Sequence, residues 1–131
     1  MKIIFFIIFN LLFIFSSYAQ DVRDNRGRLN GRWNNSEYRD AQGRLVYRFD
    51  SSNDLRDHQG SLVMRYNNGD FRDSQGRLMG RLKNDEVRDA QGRLLGRIND
   101  NGEVRDAQGR LLGRAGGISK ERAAIVYFFF S

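Results

Sequence analysis

The sequence predicts an all-β fold, a closed ring or flower of antiparallel β-hairpin repeats, on three observations. One motif recurs six times, every copy carries two turn signals, and the segments between turns are too short for helices. Repeat starts fall at Arg23, Arg39, Arg56, Arg72, Arg88 and Arg105, a spacing of 16 or 17 residues. All six keep the frame apolar-Arg-Asp-x-x-Gly-x-Leu. The copies range from VRDAQGRLLGRI (Val87 to Ile98) and VRDAQGRLLGRA (Val104 to Ala115) to the divergent LRDHQGSLVMRY (Leu55 to Tyr66).

The first turn of each unit is Asp-x-x-Gly: Asp at the first position can accept backbone N–H bonds, and Gly at the fourth tolerates positive φ. The pairs are Asp24/Gly27, Asp40/Gly43, Asp57/Gly60, Asp73/Gly76, Asp89/Gly92 and Asp106/Gly109. The second is a polar linker of four or five residues, such as NNGD from Asn67 or NDNGE from Asn99, a length suited to a hairpin connection.

Strict alternation along the strands assigns Leu94, Gly96 and Ile98 to the buried face and Arg93, Leu95 and Arg97 to the outer one. The same rule turns Leu29, Trp33, Leu45, Tyr47, Phe49, Leu62, Met64, Tyr66, Leu78 and Leu82 inward. It leaves Val46, Val63, Met79 and Leu112 outward. Tyr38, Leu55, Phe71, Val87 and Val104 join the interior from the shorter strand, while Gly31, Gly80, Gly96 and Gly113 leave room for a neighbouring ring or strand. A single such hairpin buries too little to offset its own ordering entropy, so the units must stack or close on one another. Val22 to Asp24 and Arg110 to Ala115 are complementary half-hairpins whose pairing would close the ring and remove its exposed edges.

The two ends differ from the repeats. Residues 1–19 carry Lys2, an apolar run from Ile3 to Phe15 and the small-x-small triplet Ser17-Tyr18-Ala19, which reads as a secretory signal and predicts an exported protein of the periplasm or exterior. The run is short for a membrane span and is interrupted by Asn10, so no transmembrane span is expected after signal removal. The chain has no Cys, which excludes a lipoprotein, disulfides and thiolate chemistry. Repeats occupy 20–115. Over 116–131 the Gly116-Gly117 joint leads into ISKERAAIVYFFFS, where Ser119 is a candidate helix cap with Glu121 in its first turn. Six apolar residues from Ile125 to Phe130 should plug or cover the array, with a short helix favoured over a strand.

The repeated RDAQGRLLGR units, the leader and the AAIVYFFF tail together resemble the bacterial exported five-fold β-flower family. That resemblance implies β-hairpin petals around an axis and carries no established activity; the six motif copies leave five or six petals open. The Asp-x-x-Gly-Arg-Leu core is also similar to the YD repeats of large toxin shells, although those carry Tyr where this chain has Arg23 and its equivalents.

For function, a carboxylate that recurs in one environment argues for turn building, since acid–base catalysis needs two carboxylates with divergent surroundings. Asp100, Asn101 and Glu103 lack the ligand spacing of a calcium loop. No enzyme, cofactor or metal is implied. Of the 22 basic residues, 19 are Arg. Rows formed by Arg88, Arg93 and Arg97 could bind a polyanion bidentately, or pair across strands with nearby acids. The repeat is most broken between Arg39 and Tyr66, where Tyr47, Phe49, His58, Met64 and Tyr66 are the candidate ligand-binding residues or a filling of core space. The sequence therefore predicts a non-catalytic module whose partner is an envelope protein, a glycan or another anionic polymer, and not intracellular nucleic acid. A polyanion or small-ligand carrier is the second reading.

Overall fold

Twelve short strands follow one another, longer and shorter alternating from the second to the eleventh: β1 (Gln20–Asp24), β2 (Leu29–Asn34), β3 (Glu37–Asp40), β4 (Leu45–Phe49), β5 (Asp54–Asp57) and β6 (Leu62–Asn67) are followed by β7 (Asp70–Asp73), β8 (Leu78–Lys83), β9 (Glu86–Asp89), β10 (Leu94–Ile98), β11 (Glu103–Asp106) and β12 (Leu111–Arg114). They form a closed antiparallel barrel in chain order, with β1 pairing β12. The computed structural model describes residues 20–130; the secretory signal read over 1–19 lies outside the described residues. The seam is the shortest ladder, with only Arg23 opposite Arg114 and Asp24 opposite Gly113.

Six Asp-x-x-Gly turns occupy one end of the barrel, and each is built by the same bonds. Asp24 Oδ1 accepts the backbone N–H groups of Arg26 and Arg28, both at 2.9 Å. Its glycine Gly27 sits at φ 83°, and the other five turn glycines lie between 86° and 87°. The motif Arg completes the turn by donating from Nη1 to the glycine carbonyl, in all six copies at 2.9 to 3.1 Å.

Five connectors occupy the opposite end, and their chemistry explains the two repeat lengths. The β4–β5 and β10–β11 connectors are four-residue turns in which Asn53 N–H donates to the Asp50 carbonyl (3.2 Å) and Gly102 N–H to that of Asn99 (3.1 Å). These are the 17-residue spacings. The other three are tighter and rest on Asn35, Asn68 and Asn84 at φ 55°, 49° and 55°. The sixth connector position is the seam, so six repeats give five continuous connector hairpins and one split between the chain ends.

Inside lie Val22, Trp33, Tyr38, Leu55, Met64, Phe71, Val87, Ile98 and Val104, all buried. One part of the alternation fails. Every Asp-x-x-Gly hairpin carries a β-bulge: Leu94 lies opposite Arg88 while Gly96 lies opposite Val87, and the same shift recurs in the other five. The extra residue reverses the expected faces. Leu29, Leu45, Leu62, Leu78 and Leu94 pair with the outward motif arginines, whereas Val46, Val63, Met79, Leu95 and Leu112 pack on the core.

The tail enters the barrel as expected, through a short helix α1 (Lys120–Ala124) continued by a π-helical turn (Ile125–Phe129). Ser119 does stand at the N-cap, but its side chain makes no cap bond; its carbonyl receives Ala123 N–H at 3.1 Å. Ala123, Ala124 and Ile125 are buried. The i→i+5 bond from Phe130 N–H to the Ile125 carbonyl (2.9 Å) widens the turn and spreads the following rings around the axis. Tyr127 lies against Gly113, Phe128 against Gly96 and Phe129 against Gly80, so close that a Cβ on these glycines would fall 2.6 to 2.7 Å from a ring atom or from the Tyr127 hydroxyl oxygen. Phe130 stacks on Tyr47 at 4.4 Å between centroids. Successive tail residues thus fill positions on β12, β10, β8 and β4.

Candidate functional site

The residues singled out by sequence do not form one site; the fold distributes them over three places. Tyr47 and Met64 belong to the interior. Met64 is fully buried, and Tyr47 stacks on Tyr38 at 5.5 Å as well as on Phe130. Burial pushes the Tyr47 hydroxyl up to about 12. His58 stands exposed in the turn between β5 and β6, beside Asp40, Arg44, Leu45 and Val46 on the adjoining hairpin.

Phe49 and Tyr66 converge at the connector end. With Ser36, Asp50, Asn53, Glu121 and Arg122 they line a cleft of about 220 Å³ between the β4–β5 connector and α1. Arg122 lies over both Trp33 (5.2 Å) and Phe49 (5.8 Å), and those two rings stack at 5.8 Å. Trp33 is the floor of this arrangement, fully buried, and its indole N–H has no acceptor among the described residues. Asp50 is held in place by Arg56 (3.0 Å) and by the Ser52 backbone N–H (2.8 Å), which together keep its carboxyl below the usual carboxylate range. Two aromatic rings, two carboxylates and a guanidinium line this one cleft. Glu121 and Arg122 were not legible as site residues, because they stand outside the repeat and only the insertion of the tail brings them to the rim.

Arg88 and Arg97 lie on the outer wall, in a charged belt that circles the barrel. Arginines face each other across connector hairpins and the seam, as in Arg81 opposite Arg88, Arg97 opposite Arg105 and Arg23 opposite Arg114. Like charges in that register repel, and interposed carboxylates relieve the repulsion. Glu86 accepts Arg88 at 2.8 Å and Arg97 at 3.1 Å; Asp21 accepts Arg23 and Arg32, and Glu103 takes Arg105 and Arg114. The hydrogen bonds from Arg88 and then Arg97 lower the Glu86 carboxyl below its usual range. A shallow hollow of about 370 Å³ between Arg81, Lys83, Glu86 and Arg88 lies on this belt.

Arg93 is apart from both, at the Asp-x-x-Gly end, where its Nε donates to Asp89 Oδ2 at 2.8 Å. Among the described residues no group of three or more His, Asp or Glu is placed to hold a metal ion, and no helix is long and apolar enough to cross a membrane.

No curated protein and no solved structure matches the chain. The family model described as 5-fold beta-flower protein matches residues 19–131, which cover the whole barrel and its tail, and the chain belongs to that family.

Proposed function

We propose that this chain is a non-catalytic interaction module, exported with the loss of residues 1–19, that holds an envelope glycan polymer at the connector-end cleft. The observation that carries this reading is the convergence of Phe49, Tyr66, Glu121 and Arg122 at the one rim where the repeat is broken. Sugar rings pack their C–H faces on aromatic rings and present hydroxyls to carboxylates and guanidinium groups, and groups of these kinds line the cleft. One feature supports a binding role over catalysis. The repeat spends its acids on turns and on pairing arginine, in the same bonds copy after copy.

The test is sedimentation of the mature protein with insoluble envelope polysaccharide at low and high salt. Retention at both, lost in the double variant Phe49→Ser/Tyr66→Ser with folding intact, is expected. Retention by the double variant overturns the cleft assignment, and turnover of the polymer overturns the non-catalytic one. Sequencing of the mature N-terminus should begin at Gln20.

A second reading is favoured by the belt, where one carboxylate serves two arginines at Asp21, Glu86 and Glu103. That excess of guanidinium suits a polyanion. Binding by this route falls steeply as salt rises, whereas aromatic contact does not.

A further inference from the structure

We propose that the Asp-x-x-Gly end of the barrel docks on an anionic lipid surface, a ring of five arginines meeting the headgroups around the aromatic tip of the tail. This goes beyond the glycan reading, and it uses the opposite end of the molecule.

The first observation is an asymmetry of exposure within five repeated ion pairs. Arg28, Arg44, Arg77, Arg93 and Arg110 follow the turn glycine in their repeats, and each donates through Nε to the turn aspartate at 2.8 to 2.9 Å. Their side chains are 71 to 77 % exposed, whereas the aspartates are 16 to 25 % exposed. The pairs are neutral in sum but present their cationic half to the outside. With Nε engaged inward, the Nη nitrogens face solvent, save that Arg77 Nη2 also reaches Gln75 Oε1 at 3.2 Å. A guanidinium edge so displayed fits phosphate oxygens.

The second observation is what the ring encloses. Lys120 pins α1 at the connector end through Asp85 and Asp100. From there the tail runs inward: Ala123, Ala124 and Ile125 are buried, but Val126 through Phe130 are half-buried again. Their rings rest on Gly113, Gly96, Gly80 and Tyr47, whose strand partners Asp24, Asp106, Asp89 and Asp57 begin the turns. The tail therefore regains exposure through the turn end, and its apolar tip lies inside the arginine ring. A soluble polyanion would cover the arginines and leave that tip in water. An anionic bilayer surface satisfies both, as it does for amphipathic interfacial elements.

The third repeat supplies the design of the test. There Ser61 replaces arginine, yet its backbone N–H still bonds Asp57 at 3.0 Å, so the turn tolerates serine at this position. The mature protein is sedimented with phosphatidylcholine vesicles, alone or with about one-third phosphatidylglycerol. Binding to the anionic vesicles only is expected, released as salt rises well above about 0.1 M. Arg77→Ser/Arg93→Ser/Arg110→Ser should weaken it on the order of a hundred-fold, and Arg93→Ser alone about five-fold, with an unchanged melting temperature in the single variant. Arg81→Ser/Arg97→Ser, on the belt, should leave it within about three-fold. Equal binding to neutral vesicles, no binding, an unaffected ring variant, an equal loss in the belt variant, or equally tight binding of soluble polyphosphate would each overturn the proposal. None of these outcomes touches Phe49 or Tyr66, so the glycan reading stands or falls separately.

Discussion

The strands on which the tail lies over a glycine and the strands that fill their own middle inward position solve one packing problem in two ways. On β8, β10 and β12, Gly80, Gly96 and Gly113 leave space that Phe129, Phe128 and Tyr127 of the tail fill. On β4 and β6, the strands supply Tyr47 and Met64 themselves. One set is completed from outside the repeat and the other from within it. The comparison teaches that the repeat sequence alone does not specify a finished interior; the tail is the missing half of the core.

The largest expected effect follows from removing residues 118–131. The deletion takes out Ala123, Ala124, Ile125 and four aromatic rings. At ~1.5 to 3 kcal/mol for each large side chain, the loss is roughly 10 kcal/mol, comparable with the whole stability of a small domain. The truncated chain should show no cooperative melt and should bind a hydrophobic dye; a sharp transition near the wild-type temperature would break the comparison.

Next come opposite changes in the two sets. Met64→Ala opens a cavity among the self-filled strands and should cost about 2 to 5 kcal/mol. Gly96→Ala adds one methyl among the tail-filled strands, pressed against the Arg105 backbone carbonyl oxygen and 2.6 Å from the Phe128 ring, and should cost about 3 kcal/mol by overpacking against both. Chemical denaturation of both variants measures the pair. A stabilising Gly96→Ala would mean that the glycines leave slack and that the rings do not seat on them.

How much of this was legible can be argued from the same residues. The turns, the closure of Val22 to Asp24 onto β12 and the burial of the tail follow from local chemistry that a sequence displays: Asp and Gly at fixed offsets, unmatched half-hairpins, six apolar residues in a row. The glycines pointed to rings without naming them, because Phe128 and Gly96 are brought together only by closure. The bulge was hidden for a specific reason. Leu94 and Leu95 are both apolar, as are Leu45 with Val46 and Leu62 with Val63, so either can be assigned to the core and strict alternation chooses the wrong one. Asn30, exposed at the extra position of the first repeat, is the one polar residue that departs from this doublet. The cleft was half legible: Phe49 and Tyr66 stood out as interruptions, while Glu121 and Arg122 could not be placed without knowing where the tail enters.

A smaller effect probes the seam, where β1 meets β12. The Tyr127 hydroxyl donates to the Arg23 carbonyl on β1 and reaches the Arg114 carbonyl on β12 at 3.1 Å. Burial, the dominant influence, lifts this hydroxyl to about 12 in spite of the bond to Arg23, and Tyr47 is lifted to a similar value. Each is raised in the folded state, so the stability it contributes is present below pH ~10 and is lost as pH rises from there through about 12. Titration of tyrosine absorbance should show both groups ionising late and together with unfolding. Tyr127→Phe should cost about 1 kcal/mol and raise amide exchange at Val22; unchanged exchange there would mean that the ladder holds the seam without the tail.

The smallest effect restores the pattern where the repeat is broken. In the perfect copies an arginine after the turn glycine joins the backbone bonds to aspartate, as Arg93 does with Asp89; at Asp57 only the backbone N–H groups of Gln59 and Ser61 are present. Ser61→Arg should rebuild the ion pair, but an exposed pair of this kind contributes little, because screening and side-chain entropy offset the attraction. The melting temperature should therefore barely move. Binding to anionic vesicles should tighten, since a sixth guanidinium closes the ring, and that separation of binding from stability distinguishes an arginine retained for a partner from one retained for the fold. A clear rise in melting temperature with unchanged vesicle binding would assign the ring to stability alone, and Arg28, Arg44, Arg77, Arg93 and Arg110 would then be turn residues and nothing more.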